Sequence, residues 1–506
     1  MDPMKRTLSV FLAICMLGAV LATAAFAEDA PAADNLVTTS HSAVIQGEKI
    51  DYTATTGTMV LESGGEQCEI FFVAYTLDDI DDLSERPITF VFNGGPGSSD
   101  GYTHILCMGP RKIELDENGH AASLPARMID NNDSLLDLTD LVFIDAIGSG
   151  FSRALSGDDS NFINCSNDAR TFGDFIYLYL TRNARYNSPK YVAGESYGTV
   201  RAIALNQYLA NTYNIGLNGI ILLSSINNFS NITIQPGNDQ PYTAFLPTFA
   251  ADAWYHGRVG EPYRSMELEE FLDEVRAFTG GRYLTALYQG QRISPEEEDT
   301  VAEQMAAYLG LDKDFILRRN LRISLDDFGK ELLKDQNLVI SRYDGRFAGP
   351  SIDGSRDGSD SDPTDFDLDL PLFTALNQYI REDLGFQTDI PYIPLNMDVL
   401  SRWDFEAENG FLTQEDSIRN AMVFNSFLKI WVCCGYYDAA TPFYGAEWVF
   451  SHLFLDEQHL DNLSFTYYPA GHAFYIDQAS HDQFRSDAER WYLADSAVQA
   501  EMKEAA

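Results

Sequence analysis

The residue with the clearest capacity for chemistry is Ser196, which lies in the sequence GESYG at residues 194–198. A short run of β-branched and aromatic residues precedes it, and residues 199–213 carry Ala, Leu, Ile and Val at helical spacing. This pattern predicts a strand, a sharp turn and a helix. Such a turn exposes the serine hydroxyl, and the amino end of the helix favours negative charge beside it.

The order strand, Gly-x-Ser-x-Gly, helix resembles the nucleophile turn of α/β hydrolases. In that fold a serine, an aspartate and a histidine follow in order, each at the carboxyl end of a strand, so that the imidazole activates the hydroxyl and the acid holds the imidazole. Of the eight histidines, only His472 directly follows a predicted strand and lies downstream of a strand-end aspartate, Asp438. We therefore expect Ser196, Asp438 and His472 to form a catalytic triad.

The oxyanion formed in such a reaction needs two backbone N–H donors. In the α/β-hydrolase fold one donor belongs to the residue after the nucleophile, which is Tyr197 here. The other comes from a loop after an early strand. The sequence NGGPG at residues 93–97 follows a predicted buried strand at residues 87–92, and its glycines allow the backbone to approach a substrate closely.

Four segments together resemble the signatures of the serine carboxypeptidase family of the carboxypeptidase Y type. They are NGGPG at 93–97, GESY at 194–197, GYYD at 435–438 and GH at 471–472. Asp145 with GSGFSR at residues 148–153 is similar to a fifth family segment. The chain departs from the family pattern at Ser98, where a cysteine is common, and at Ala146, which replaces a usual proline.

This resemblance implies removal of single C-terminal residues from peptides through an acyl-enzyme, with no metal and no cofactor. It implies that Gly95 and Tyr197 donate the oxyanion N–H bonds, and that Asn93 and Glu195 bind the free carboxylate of the peptide. A carboxylate beside a buried glutamate is a pair of like charges, so one of the two must be protonated. Peptide binding is therefore expected to be best when Glu195 is neutral.

Two other functions are compatible with the same residues. An acyltransferase or an esterase would use the same triad, and it differs in not requiring a free C-terminal carboxylate on its substrate. A non-catalytic exported binding protein would keep the fold without the reaction. The complete set of Ser196, Asp438 and His472 argues against the binding protein.

The predicted fold class is α/β, an α/β-hydrolase fold with a mostly parallel central sheet and a largely helical insertion, or cap, between core strands. Residues 43–225 and 426–502 are predicted to form the core, after a loose lead at residues 28–42. The core is predicted to open with antiparallel strands over residues 43–93, including two short runs at residues 49–55 and 58–61. The cap is predicted at residues 226–425, because strand–helix alternation stops there. It includes an exposed acidic loop near residues 351–369, where apolar residues are few.

The N-terminus has the pattern of a secretory signal peptide. Lys5 and Arg6 precede an apolar run at residues 8–25, and the tripeptide AFA that ends at Ala27 is a small-residue cleavage site. Residues 1–27 are therefore predicted to be removed from a secreted or periplasmic protein. No later stretch is long and apolar enough to span a bilayer.

Charge and cysteine content limit the partners further. The formal net charge of −42 argues against a general binder of nucleic acid or anionic membranes, because phosphates would be repelled. The predicted mature chain has an odd number of cysteines, whose pairing the sequence does not determine: Cys68, Cys107, Cys165, Cys433 and Cys434. The last two lie on an apolar run and are expected in the core. No C-x-x-C pair is present, so we infer no metal site.

Overall fold

A computed structural model describes residues 33–117, 119–350, 362–364, 368–407 and 410–505. Its strands are β1 Asn35–Ile45, β2 Glu48–Ser63, β3 Glu66–Leu77, β4 Ile88–Phe92, β5 Arg111–Ile113, β6 Met128–Asp130, β7 Asp140–Ile144, β8 Arg153–Ala154, β9 Lys190–Glu195, β10 Gly219–Leu223, β11 Leu338–Ile340, β12 Ala348–Pro350, β13 Lys429–Gly435 and β14 Leu463–Tyr468. The predicted signal peptide and most of the predicted acidic loop lie outside the described residues.

One large sheet organises the molecule. Its strand order is β1-β2-β3-β7-β4-β9-β10-β13-β14, with β8 paired to β3. All strands from β7 to β14 in that order run parallel, while β1, β2 and β3 are antiparallel to their neighbours. The sheet confirms the predicted α/β class, and it brings the carboxyl ends of β4, β9, β13 and β14 to one edge.

The central strands form because they are short, continuous apolar runs. Every residue of β4, β7 and β10 is buried. Parallel strands are covered by helices on both faces, so both sets of alternating side chains must be apolar. Two hydrophobic clusters accordingly lie on opposite faces of the sheet, one containing Phe90 and Ile220, the other Val91 and Ile221.

The antiparallel part of the sheet differs from the prediction in three ways. β1 begins at Asn35, inside the segment expected to be a loose lead, so the core starts before residue 43. The two short runs expected at residues 49–55 and 58–61 form one strand, β2. β4 pairs in parallel with β7 and β9, so the antiparallel opening ends at β3 and does not extend to residue 93.

Helices cover the sheet and build the insertion. They are α1 Cys165–Arg182, α2 Tyr197–Tyr208, α3 Gln240–Tyr255, α4 Leu268–Phe278, α5 Leu284–Gln289, α6 Pro295–Leu309, α7 Lys313–Arg318, α8 Leu325–Glu331, α9 Leu370–Glu382, α10 Met397–Arg402, α11 Glu415–Phe424, α12 Phe443–Ser451, α13 Glu457–Leu460 and α14 Gln478–Ala505. None of these described helices combines the length and apolarity that crossing a bilayer requires.

The insertion between β10 and β13 contains α3 to α11 and the small antiparallel hairpin β11–β12. Most of its helices share a separate hydrophobic cluster around Phe249, Val275 and Met305. Its helix α6 begins after Ser294, whose side chain accepts a hydrogen bond from the Glu297 backbone N–H. The Glu297 carboxylate binds the Arg282 guanidinium.

The five described cysteines are buried thiols with no disulfide among them: Cys68, Cys107, Cys165, Cys433 and Cys434. Cys433 and Cys434 lie in the core on β13, as expected. Burial raises the pKa of the Cys68 thiol to about 12 and that of Cys165 to about 11, so these two groups are held in the protonated form.

Candidate active site

Ser196 lies on the predicted sharp turn between β9 and α2. Its φ of 58° and ψ of −125° are strained values for a residue with a side chain. The backbone packs so closely here that a Cβ at Gly194 would lie 2.1 Å from the carbonyl oxygen of Gly198. The Ser196 N–H donates to the Leu223 carbonyl at 3.0 Å, which fixes the turn to the end of β10.

Asp438 and His472 come together from the ends of β13 and β14. The His472 ring Nδ1 lies 2.8 Å from Asp438 Oδ2, and both side chains are buried. Asp438 Oδ1 accepts from the backbone N–H groups of Ala440 and Thr441, at 2.8 and 2.9 Å. The Thr441 hydroxyl donates to Asp438 Oδ2 at 2.6 Å. These three donors and the His472 ring contact both oxygens of the Asp438 carboxylate and hold it in one orientation.

The environment of His472 favours a charged imidazole. Burial lowers its pKa, but the charge of Asp438 and the hydrogen bond to it outweigh burial, so that the pKa of His472 is raised above its usual value. The Ser224 hydroxyl donates to the His472 carbonyl at 2.6 Å and ties its backbone to the end of β10. Because His472 Nδ1 contacts Asp438, Nε2 is the ring nitrogen that remains to accept a proton from a nucleophile.

Ser196 and His472 line one cavity of about 200 Å³ at the carboxyl edge of the sheet. Asn93, Gly95 and Glu195 line the same cavity. Its other walls carry apolar and aromatic side chains, which are Tyr102, Leu368, Phe373, Pro394, Leu395 and Ile476. They also carry polar side chains, which are Ser98, Tyr343, Asp344, Thr364 and Asp369. The structure thus brings five of the predicted site residues to one opening.

Glu195 forms a buried polar cluster with two neighbours. Its Oε1 accepts from the Asn93 side-chain amide at 2.9 Å, and its Oε2 accepts a short hydrogen bond from the Tyr475 hydroxyl. Burial raises the pKa of Glu195 to about 7, against the lowering effects of His472, Tyr475 and Asn93. Glu195 is therefore a neutral acid below about pH 7, able to donate one hydrogen bond to an anion.

The NGGPG segment at residues 93–97, which is the predicted oxyanion loop, packs directly against the turn that carries Ser196, the predicted nucleophile turn. A Cβ at Gly94 would lie 2.4 Å from the Tyr197 backbone nitrogen, so only glycine allows the two segments to touch. Gly95 has a φ of +96°, which also favours glycine. Asn93 is fixed from behind, since its Oδ1 accepts from the backbone N–H and the hydroxyl of Thr103 at 3.2 and 3.1 Å.

Tyr475 and Thr441 are site residues that the sequence analysis missed. Tyr475 reaches Glu195 across 280 positions of sequence, and Thr441 holds Asp438 from a turn three residues downstream. Each stands three residues after a predicted triad member, and that spacing is the only available sequence signal. Among the described residues, no group of three His, Cys, Asp or Glu side chains has an arrangement that could hold a metal ion.

At the first departure from the family pattern, Ser98 forms an isolated antiparallel bridge with Leu395 of the insertion. Its carbonyl accepts from the Ser149 hydroxyl at 3.1 Å. At the second, the carbonyl of Ala146 accepts from the same hydroxyl at 2.9 Å. The Ser149 hydroxyl therefore lies within hydrogen-bond distance of the backbone at both positions.

Part of the sequence is similar to a known protein family. The model of the serine carboxypeptidase family matches residues 49–270. This part of the chain is thus similar to the serine carboxypeptidase family. The matched residues include the NGGPG segment at 93–97 and Ser196. No curated protein matches the sequence.

Solved structures provide a comparison for the fold. The prohormone-processing carboxypeptidase Kex1 from Saccharomyces cerevisiae is similar over 86% of this chain and 92% of its own, with 16% identity and a TM-score of 0.52. Proline iminopeptidase from Mycobacterium smegmatis is similar over 88% of this chain and 100% of its own, with 12% identity and a TM-score of 0.33. The sheet order and the similarity to Kex1 confirm the α/β-hydrolase fold predicted from the sequence.

Proposed function

We propose that this protein removes single residues from the C-terminus of peptides by a Ser196–Asp438–His472 triad. The observation that carries the proposal is the Glu195–Asn93 pair on the wall of the cavity that Ser196 lines. A neutral carboxylic acid and a carboxamide beside a nucleophile are suited to bind a carboxylate one residue from the bond that is cut. This requirement for a chain end distinguishes a carboxypeptidase from an esterase.

The reaction follows from the positions of these groups. Ser196 Oγ attacks the carbonyl carbon of the last peptide bond while His472 Nε2 takes the hydroxyl proton. The backbone N–H groups of Gly95 and Tyr197 stabilise the oxyanion. The C–N bond then breaks as His472 returns the proton to the leaving amine, and the last residue departs. Water, deprotonated by His472, hydrolyses the ester on Ser196 and restores the hydroxyl.

Asp438 holds the imidazole through both halves of the cycle. Its carboxylate keeps the proton on His472 Nδ1, so that Nε2 is free to accept from the serine, and it stabilises the imidazolium that forms. The raised pKa of His472 has the same origin. The residue thus contributes by orientation and by charge, without taking a proton itself.

A direct test incubates a synthetic peptide of mixed composition with the wild type and with Ser196→Ala, and identifies the products by mass spectrometry. We expect the wild type to shorten the peptide from its C-terminus one residue at a time, and the variant to leave it intact. A fluorophosphonate probe should label the wild type only. Internal cleavage, or equal activity of both proteins, would contradict the proposal.

We further propose that the protein is exported. The support is the sequence pattern of residues 1–27, with cleavage after Ala27. Expression of the full chain in a bacterial host with a secretion system should yield periplasmic or extracellular protein that starts at Glu28. Protein retained in the cytoplasm with its first residues intact would contradict export and leave the catalytic proposal unaffected.

A further inference from the structure

A short segment of the insertion contacts both loops that carry Asp438 and His472. It comprises residues 341–347, which connect β11 to β12, and we name it the strap. The strap closes a hairpin, with the Ser341 N–H donating to the Phe347 carbonyl at 2.9 Å. Nothing in its sequence suggested a role, since it lies far from every predicted motif.

Backbone hydrogen bonds join the strap to the two catalytic loops. The His472 N–H donates to the Tyr343 carbonyl at 2.6 Å. Ala439, which follows Asp438, donates to the Arg342 carbonyl at 3.0 Å. The Gly345 N–H donates to the Tyr437 carbonyl at 2.9 Å. The strap therefore binds the backbone on both sides of Asp438.

The Asp344 side chain adds a charged link to the histidine loop. Its Oδ2 accepts from the Gly471 backbone N–H at 3.0 Å, and its two oxygens bind the Arg346 guanidinium at 2.9 and 2.7 Å. Arg346 also donates to the Pro469 carbonyl at 3.0 Å and to Asp477 at 3.1 Å. The side chains of Asp344 and Arg346 are 4% and 11% exposed, so this pair is well shielded from solvent.

The other side of the strap rests on helix α3. A Cβ at Gly345 would lie 2.0 Å from Asp252 Oδ1, so the strap backbone lies directly against this carboxyl group. Asp252 is fully buried, and among the described residues neither of its carboxyl oxygens has a hydrogen-bond partner. The ring Nε2 of His256 lies 2.8 Å from the Gly345 carbonyl. The strap is therefore fixed between the insertion and the core.

We propose that Asp344 and Arg346 are positioning residues, which set the His472 loop relative to Asp438 and so couple the insertion to the catalytic step. The inference rests on the proposed function. Asp438 and His472 follow different strands, and a displacement of about 1 Å between them would cost about 100-fold in rate. The strap links the two loops by five hydrogen bonds that involve no triad side chain.

The test compares Asp344→Ala with Asp344→Asn. Alanine removes the acceptor for the Gly471 N–H, whereas the asparagine oxygen still accepts that bond. We expect Asp344→Ala to lower kcat about 10- to 100-fold for peptides and for a small ester, with little change in KM. Asp344→Asn should recover most of the lost rate. Asp239→Asn is the matched control, because it breaks the bidentate pair with Arg322 elsewhere in the insertion.

The pH profile separates positioning from mere structural support. Asp438 and Glu195 raise the pKa of His472, and burial and Arg342 lower it. A weaker Asp438 contact in Asp344→Ala should therefore move the acidic limb of kcat/KM to lower pH. A variant with less folded protein but an unchanged pH profile and unchanged kcat per labelled Ser196 would overturn the inference. If Asp344→Ala does not fold, Arg346→Lys replaces it, because lysine keeps the positive charge but cannot make the two parallel hydrogen bonds of the guanidinium to Asp344. The acidic limb of kcat/KM should then move to lower pH by a smaller amount.

A measurement without substrate makes failure of this inference distinguishable from failure of the proposed function. The proton shared by His472 Nδ1 and Asp438 is expected to give a low-field NMR signal in the wild type and in Asp344→Asn. It should weaken or disappear in Asp344→Ala. An unchanged signal would contradict the positioning role whatever the enzyme hydrolyses. A wild type that shortens no peptide would contradict the proposed function alone.

Discussion

Asp438 is an acceptor at every one of its hydrogen bonds, and this limits what can replace it. Its two oxygens receive the N–H groups of Ala440 and Thr441, the Thr441 hydroxyl and the His472 ring. An asparagine would present an NH₂ group to at least one of these donors. Facing His472 Nδ1, that group would favour the tautomer with its proton on Nε2, which cannot accept from Ser196.

We accordingly expect Asp438→Asn to lower kcat by about 10⁴-fold while leaving the fold intact. Steady-state kinetics at pH 7 with a C-terminally unblocked dipeptide would measure the change, and circular dichroism would check the fold. A loss of less than tenfold would contradict the assigned role of Asp438. Asp416→Asn serves as the control, since that residue is exposed and, within the described part of the chain, its ion pair is with Arg419 on the same helix.

Glu195 provides a prediction about pH. With a pKa of about 7, it is neutral in acid and becomes charged as the pH rises, so it then repels a substrate carboxylate. The ratio of kcat/KM for a peptide to that for a small neutral ester should fall about tenfold per pH unit above pH 7. Taking the ratio cancels the titration of His472, which both substrates require.

Glu195→Gln tests this interpretation, because its amide donates a hydrogen bond at every pH. Its peptide-to-ester ratio should stay constant between pH 5 and 9. A ratio that still declines in the variant would assign the titration to another group and would remove Glu195 from carboxylate recognition.

The sequence predicts the three triad side chains because each follows a predicted strand, in the order that the fold requires. Ser196, Asp438 and His472 can be found by that rule alone. Tyr475 and Asp344 cannot, because their partners Glu195 and Gly471 lie 280 and 127 positions away in the chain. Such contacts depend on how the loops and the insertion pack, and no local pattern records that.

At the scale of the elements, close backbone packing holds the oxyanion loop against the nucleophile turn. A Cβ at Gly94 would lie 2.4 Å from the Tyr197 nitrogen and 2.6 Å from the Glu195 carbonyl oxygen, and these backbone atoms belong to α2 and β9. Gly281, in the insertion, has open space where a side chain would extend. The two glycines therefore form a matched pair for the same substitution.

Gly94→Ala is expected to destabilise the fold by about 1–3 kcal/mol and to reduce activity strongly, because an added methyl overpacks backbone. Gly281→Ala should change the free energy of unfolding by less than about 1 kcal/mol. Denaturant titrations of both variants provide the comparison. Equal stability of the two would show that the oxyanion loop is not held by this contact.

The element that the sequence misjudged is β1. Its burial pattern is mostly exposed or half-buried, and four of its eleven residues are Ser or Thr in an unbroken run with His41 at residues 38–42. It forms a strand because it pairs with β2 along its whole length, from Asn35 opposite Thr58 to Ile45 opposite Glu48. An edge strand of this kind depends on its partner's hydrogen bonds, whereas the buried strands carry their own apolar signal.

For the molecule as a whole, buried carboxyl groups set the dependence of stability on pH. Burial raises the pKa of Asp145 to about 7, as it does for Glu195, and it raises those of Asp100 and Asp252 well above their usual value. Burial acts in the opposite direction on two histidines, lowering the pKa of His104 to about 3 and that of His481 to about 4. Burial also raises the pKa of Asp137 and Asp168 and lowers that of His41 and His256, so that, among the described residues, six such acids outnumber four such histidines.

A carboxyl with a raised pKa in the folded state contributes stability that is complete below its unfolded pKa and is lost as the pH rises through the folded pKa. The lowered histidines oppose this only below about pH 6.5. The formal net charge of −42 adds repulsion as carboxylates ionise. We expect the free energy of unfolding to decline from about pH 5 to pH 7, and thermal unfolding at several pH values would measure it.

Asp252→Asn isolates one contribution, because the carboxamide has nearly the shape of the neutral acid and cannot ionise. The variant should lose less stability than the wild type between pH 5 and 7. Asp314→Asn, at an exposed position on α7, should follow the wild type. A steeper decline in Asp252→Asn would contradict the assignment of a neutral buried acid beneath the strap.

The central claim is that the site recognises the end of a peptide chain, and one pair of substrates tests it most directly. The two peptides share a sequence and differ only in a free or an amidated C-terminus, and mass spectrometry at pH 5 follows the loss of the last residue. We expect kcat/KM for the free acid to exceed that for the amide by about 100-fold or more. Equal rates for the two peptides would contradict the account.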